Sequence, residues 1–529
     1  MPSAIDKVIL TDLTALKAKY GDAGASKINK SVDALIAADK QRGLTSCLIA
    51  VDDAAAMKKL AATAVVKAAD PKQNKVAVDG IYKALAPDYL LILGSVDVIP
   101  HQDLKNPVYD PSPSGDPDKI AFGDLPYACE APYSQKPQDF LGPTRVVGRL
   151  PDLTGGADPA YLVGLLQTAA SYKTQGPTGY DRSFGISAQI WKKSTALSLG
   201  NIFGTATDLK TIPPGNKKWP AASLRRMAHF INCHGADTSS QFYGQPASGK
   251  EVYPVALDAA YVNGKVADGT VAAAECCYGG QLYDPSLLKG QQGILNTYLA
   301  NKAYGFFAST TIAYGPEDSN AQADLICQYF ILSVLGGASL GRAALEARQK
   351  FVQTASPPDP SDIKTLSQFN LYGDPSITPI KMPSPSLSIA KPKSAKSMVA
   401  FAGERAERSD RRRLLFRIGL NLANTEAQAY FTARKATRSV QAALLKKAGE
   451  LGIKPTKTLS FDIRHPAGSM KTMPKTLGAK LIAPTRFHVI FGDTGKKDRA
   501  SSAPVVRIVG LIGKEVDGQV VSVRKIASR

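Results

Sequence analysis

Two stretches decide how this chain folds: Ile231-Asn232-Cys233-His234-Gly235 and Ala273-Ala274-Glu275-Cys276-Cys277-Tyr278-Gly279-Gly280. Their reactive ends, His234 and Cys277, lie 43 positions apart. Each is a run of small or apolar residues that stops at a reactive side chain, with glycine close behind. Short apolar runs bounded by glycine read as strands buried on both faces. Such a strand exposes chemistry only where it ends, so residues 228–233 and 271–275 are expected strands, one delivering an imidazole and the other a thiol.

Outward from these runs, strand and helix patterns alternate. Residues 46–51, 89–94, 145–151 and 303–310 read as strands. Residues 11–39, 78–85, 158–174, 321–335 and 340–354 carry helical spacing. The alternation predicts an α/β fold with a mostly parallel sheet sandwiched by helices. Residues 107–118, rich in Pro, Ser, Asp and Gly, read as a surface loop. The chain holds no internal repeats.

A thiol hydrolase needs a nucleophilic sulfur, a base, and N–H donors for an oxyanion. His234 suits the base. Gly235 lets backbone approach a substrate carbonyl, so its N–H and that of Cys277 are the expected oxyanion donors. Side chains alternate along a strand, so only one of the two thiols should face His234. Cys277 is the expected nucleophile and Cys276 the alternative, filling a small buried position. A zinc site from Cys233, His234, Cys276 and Cys277 is a weaker reading, because adjacent residues on a strand diverge.

These segments resemble the caspase–gingipain clan (clan CD) of cysteine peptidases, and most of all its gingipain-type C25 branch. The strands ending in His234-Gly235 and Cys277 carry the clan match. Glu275-Cys276-Cys277-Tyr278-Gly279 is similar to the metacaspase pattern of an acid, a small residue and the nucleophilic Cys, and also selects Cys277. Three flanking pieces resemble the C25 branch. They are Tyr89-Leu90-Leu91-Ile92-Leu93-Gly94 through Val98-Ile99-Pro100, Asp124-Leu125-Pro126-Tyr127 with Val147-Gly148-Arg149-Leu150-Pro151, and Leu371-Tyr372-Gly373-Asp374-Pro375-Ser376. Ser95 stands where the branch has an acid.

The resemblance implies a caspase-like fold and a cysteine endopeptidase acting on protein or peptide substrates. Cys277 would form the acyl-enzyme, and His234 would protonate the leaving amine and then activate water. It nominates Glu275 as attracting an Arg or Lys side chain before the cleaved bond, and Asp181 as an orienting acid. No cofactor is required, although the resemblance allows calcium. Arg411-Arg412-Arg413 offers sites for self-processing.

The 529 residues predict more than one core. Residues 1–382 read as the catalytic domain (1–150 an N-terminal part, 151–382 the catalytic part), 383–400 as a linker with Pro383-Ser384-Pro385-Ser386, and 401–529 as a separate small basic α+β domain. No apolar run reaches the roughly 20 residues that span a bilayer. No secretory signal is visible, and six sparse cysteines fit a reducing cytoplasm. The net charge of +20 is uneven. Residues 381–529 hold 30 Lys+Arg against 10 Asp+Glu, leaving 35 of each in the first 380. That surplus points to an anionic partner at the C-terminal domain. The alternatives to a peptidase are therefore a catalytically inactive scaffold on the same fold, or a nucleic-acid-binding protein.

Overall fold

The computed structural model describes residues 5–382, 396–425, 430–433, 435–464, 485–493 and 503–529. Ten strands form the main sheet. Their spatial order is Ser46–Ala50, Lys7–Thr11, Tyr89–Leu93, Val147–Leu150, Phe369–Tyr372, Gly305–Ser309, Val271–Ala274, Ala228–Asn232, Ser183–Ala188 and Lys210–Ile212. Neighbours are parallel except at one seam, where Phe369–Tyr372 runs antiparallel to Gly305–Ser309. The sheet is thus two parallel halves running in opposite directions. The chain builds most of the first half, crosses after Val147–Leu150, builds the second, and returns through Phe369–Tyr372.

Every residue of the strands Tyr89–Leu93, Ala228–Asn232, Val271–Ala274 and Gly305–Ser309 is buried. Burial without alternation means both faces are covered, which is why these strands read as continuous apolar runs. The covering helices include Leu13–Gln41, capped by Asp12, and the pair Gln322–Leu335 and Leu340–Thr354. Leu13–Gln41 buries Leu16, Tyr20, Ile28, Val32 and Leu35 on one stripe. Lys7–Thr11, Ser183–Ala188 and Lys210–Ile212 are strands that the sequence reading passed over, each too short to give a period.

The segments that resembled a known family turn out to be ties across this sheet. Arg149 lies fully buried, with Nη2 2.6 Å from Asp124 Oδ1 and Nε 2.9 Å from its Oδ2. It also donates to the carbonyls of Gly94 and Ile99 at 2.9 and 2.7 Å. Burial alone would raise the Asp124 carboxyl; Arg149, then His101, outweigh it and hold it well below the carboxylate range. Arg149→Met leaves that carboxylate buried and unpaired, and is expected to cost about 3–5 kcal/mol, read as a lowered midpoint in denaturant. Lys7 Nζ similarly reaches Asp374 at 2.7 Å and Asp39 at 2.6 Å.

A second, antiparallel sheet stands apart from the first. Its order is Tyr314–Gly315, Gln519–Ser528, Val509–Val516, Thr485–Asp493, Lys454–Arg464 and Tyr430–Ala433. Helix Arg438–Glu450 packs on it through Val440, Leu444 and Ala448. Its edge, Tyr314–Gly315, comes from the catalytic part, so the sheet is completed across the expected domain division. Of the expected linker, residues 383–395 lie outside the described residues, while 396–400 open helix Lys396–Thr425. Strand Tyr430–Ala433 lies between helices Lys396–Thr425 and Arg438–Glu450.

Helix Lys396–Thr425 packs against Leu340–Thr354. There Gln349 Nε2 donates to the Leu415 carbonyl at 2.7 Å, Arg411 pairs with Glu346 at 2.5 Å and Arg412 with Asp88 at 3.3 Å. Arg411-Arg412-Arg413 is therefore helical and partly paired, whereas a protease needs extended chain. Further cations of the C-terminal region pair inward too: Arg524 with Asp359, Lys525 with Glu317, Arg529 with Asp324, and Arg486 with Asp462 and Glu515. These contacts spend part of the basic surplus on acidic groups of the same chain, and nothing in them supports an anionic partner.

Residues 107–118 form a loop, but a partly buried one. Asp116 is fully buried, 2.5 Å from Lys364 Nζ, which also lies 3.3 Å from Asp118.

Candidate active site

Strands Ala228–Asn232 and Val271–Ala274 are neighbours in parallel register, with Ile231 opposite Ala274. His234 and Cys277 each lie three residues beyond that pair, so the strand ends deliver them to the same edge of the sheet. Ligand sites in open parallel sheets lie at this carboxyl edge. The backbones come into contact here: a Cβ on Gly235 would sit 1.7 Å from the Cys277 carbonyl oxygen. Only glycine fits at this position.

The His234 ring is fully buried beside Trp191 and Tyr253, with centroids 4.3 and 5.0 Å away. Its backbone is pinned by paired hydrogen bonds with Tyr243, both 2.8 Å. Nε2 lies 2.8 Å from Gln245 Oε1. Gln245 spends its own N–H groups on the carbonyls of Gly249 and Lys250 at 3.3 and 3.1 Å. Its oxygen must then accept, so His234 donates from Nε2 and keeps the lone pair on Nδ1, which has no hydrogen-bond partner. Burial pushes the imidazole down to about 3, against the Gln245 hydrogen bond, so the ring is neutral near pH 7.

Gln245→Leu is expected to lower kcat roughly 10²-fold, the low end of what a positioned acid–base group contributes, with little change in KM. Gln245→Glu should restore part of the rate and move the pH profile upward, because a carboxylate favours the imidazolium.

The two thiols point into different surroundings. Cys276 belongs to the main core and lies 3.9 Å from the Ile231 carbonyl. Cys277 joins a smaller cluster with Ile312, Tyr314 and Ile526, and its sulfur accepts the Ala313 N–H at 3.3 Å. The following residue, Tyr278, adopts a left-handed φ of 55°, turning the chain sharply after the thiol. Burial pushes the Cys277 thiol up to about 12, against the Ala313 N–H, so it is protonated at neutral pH. Alkylation at Cys277, mapped by mass spectrometry, is therefore expected to rise about tenfold per pH unit from about 7 to 10 without a plateau.

Both expected oxyanion donors aim at one atom. The N–H groups of Gly235 and Cys277 lie 3.3 and 3.1 Å from the carbonyl oxygen of Arg529. The Arg529 side chain is fully buried beyond it. Nη2 lies 2.6 Å from Asp324 Oδ2 and 2.7 Å from the Pro316 carbonyl, and Nε is 3.8 Å from Glu275 Oε2. The guanidinium lies 4.4 Å from the Trp191 ring. Burial, then Asp324, pushes Glu275 well above its usual range, while Arg529 opposes this. The two carboxyls thus form an acidic slot lined on one side by an aromatic ring, a shape suited to a guanidinium.

The backbone N–H groups of Gly235 and Cys277 thus meet at the Arg529 carbonyl and Glu275 faces the Arg529 guanidinium, while the His234 ring is held by Gln245 and the Cys277 sulfur by Ala313. Asp181 lies exposed after the turn Pro177–Tyr180, and the group hydrogen-bonded to the imidazole is Gln245 instead. Gln245, Trp191, Asp324 and Arg529 were not singled out from the sequence; a lone Gln or Asp carries no local signal, although Trp191 is one of only two tryptophans. No cluster of three or more His, Cys, Asp or Glu that could hold a metal occurs among the described residues. In the loop of residues 107–118 the Lys364 ammonium pairs with Asp116 and Asp118.

No protein-family model matches the chain, and no curated protein does. Among solved structures, the chain is similar to one described as "Structure of Protease", with a TM-score of 0.46 at 10% identity, covering 100% of this chain and 98% of that one. It is also similar to an Arg-specific cysteine proteinase, gingipain R, with a TM-score of 0.47 at 11% identity, covering 99% of this chain and 97% of that one.

Proposed function

We propose that the protein is a cysteine endopeptidase that cleaves peptide bonds after arginine. One observation carries this reading: two backbone N–H groups beside a thiol and a neutral imidazole converge on a carbonyl whose own residue is an arginine seated in an acidic slot. Proton transfer from Cys277 to His234 gives the thiolate, which attacks the carbonyl carbon. The oxyanion is held by Gly235 and Cys277 N–H groups. Collapse breaks the C–N bond, and the amine leaves with the proton from His234. Water then gives a proton to His234 and its oxygen to the thioester, releasing the acid and the thiol. Asp324 and Glu275 read the arginine. An inactive scaffold would not need this set of groups intact.

Fluorogenic peptides bearing Arg, Lys, Leu or Asp before the cleaved bond test the reading. The Arg529→Ala full-length chain is used, so that the slot is free. Turnover is expected with Arg, more weakly with Lys, whose ammonium lacks the planar fork, and not with Leu or Asp. A folded protein that turns over none of them, or prefers Leu or Asp, is not this enzyme.

A further inference from the structure

We infer that residues 526–529 are a tethered occupant of the cleft, lying where the acyl side of a substrate binds, and that turnover requires the terminal strand to withdraw. This inference rests on the peptidase reading above.

The backbone shows the mode of docking. Strand Gln519–Ser528 lies antiparallel to Tyr314–Gly315, with Ser528 opposite Tyr314 and Ala527 opposite Gly315. Arg529 N–H continues the ladder to the Ala313 carbonyl at 2.9 Å. An extended segment added to an exposed edge is a general way of holding peptides. Here it sets the Arg529 carbonyl at the two N–H donors and its guanidinium in the slot. Arg529, Glu275 and Asp324 are fully buried and Cys277 is 2% exposed, so no second peptide can enter while the strand is in place.

The strand is also held from behind. Arg524 pairs with Asp359, Lys525 Nζ lies 2.9 Å from Glu317, and Arg507 Nη1 donates to the Gly249 carbonyl at 3.0 Å. Ile526 is buried against the cluster that contains Cys277 and Phe491. Ser528 turns its hydroxyl back to its own sheet, accepting from Ile508 N–H at 2.8 Å and donating to the Val506 carbonyl at 2.9 Å. Of the strand's last two side chains, then, the slot grips only Arg529, and it does so incompletely. Arg529 Nε and Nη1 lack hydrogen-bond partners, the nearer Glu275 oxygen standing 3.8 Å from Nε. Unpartnered buried groups weaken the hold, as suits an occupant that must leave.

The test compares full-length wild type, Arg529→Ala and Arg524→Ala on an Arg-containing fluorogenic peptide. Hydrogen exchange of residues 519–529 is followed in the same samples. A tethered competitor acts through its effective concentration, so it raises the apparent KM and leaves kcat alone. Arg529→Ala is expected to lower KM roughly 10²-fold, within the range that tethering supplies. Arg524→Ala, which loosens the strand without touching the slot, should lower it less. Exchange in 519–529 should rise in the same order. Equal KM in all three chains overturns the inference and leaves the peptidase reading standing. Faster exchange in the variants with no turnover by any chain removes both.

Discussion

Cys277→Ala, introduced into the Arg529→Ala chain, is expected to lower kcat/KM on an Arg-containing peptide by at least about 10⁴-fold, since losing the nucleophile removes the covalent route altogether. Neither Cys276 nor Cys233 is placed to substitute. Cys276 is directed into the main core near the Ile231 carbonyl, and Cys233 is buried in the same cluster. Cys276→Ala therefore serves as the control. It should cost about 1 kcal/mol of stability as a small buried truncation, with turnover kept within a fewfold. Loss of rate in Cys276→Ala, with Cys277→Ala folded and still active, would move the chemistry to Cys276.

Asp324→Asn should be the most damaging change in the slot. The carboxylate faces Nη2 at 2.6 Å with both groups fully buried. Removing one member of a buried ion pair costs about 3–5 kcal/mol. At 1.36 kcal/mol per decade that is a loss of roughly 10²- to 5 × 10³-fold in kcat/KM for Arg peptides. The effect on Lys peptides should be smaller, because a Lys side chain gains less from the planar slot beside Trp191. Glu275→Gln should matter less than Asp324→Asn. Glu275 stands 3.8 Å from the guanidinium, against 2.6 Å for Asp324, so it contributes less to holding the cation.

The strand ends were legible because their chemistry is local. Ile231 to Gly235 and Ala274 to Gly280 pass from apolar to reactive to glycine within a few residues, and a strand buried on both faces leaves few other places for such a pattern. The flanking motifs were legible for a different reason. Asp124 with Arg149, and Asp374 with Lys7, are buried ion pairs that the sheet cannot lose cheaply. They mark the architecture and take no part in the chemistry.

What escaped the sequence is what depends on distant partners. Gln245 orients His234 only because the hairpin of Gln241–Tyr243 and Val255–Asp258 folds back over it. Asp324 sits in the first turn of helix Gln322–Leu335, where an acid is ordinary. Strands Val509–Val516 and Gln519–Ser528 form a hairpin, turning at Asp517-Gly518. Nothing in that hairpin's alternation says that its end enters a cleft. The basic surplus was visible as a total, but which cation meets which carboxylate is set by tertiary contacts alone.

The most direct measurement of the central claim is covalent. The Arg529→Ala chain is treated with a peptidyl-arginine acyloxymethyl ketone, whose methylene carbon bonds to the attacking sulfur as the carboxylate leaves while the ketone oxygen accepts from the oxyanion donors, and the adduct is mapped by mass spectrometry. The account predicts one adduct per chain, on Cys277, much slower with His234→Ala and absent with the leucine analogue of the reagent. An adduct on Cys276, or equal labelling by the arginine and leucine reagents, would contradict it.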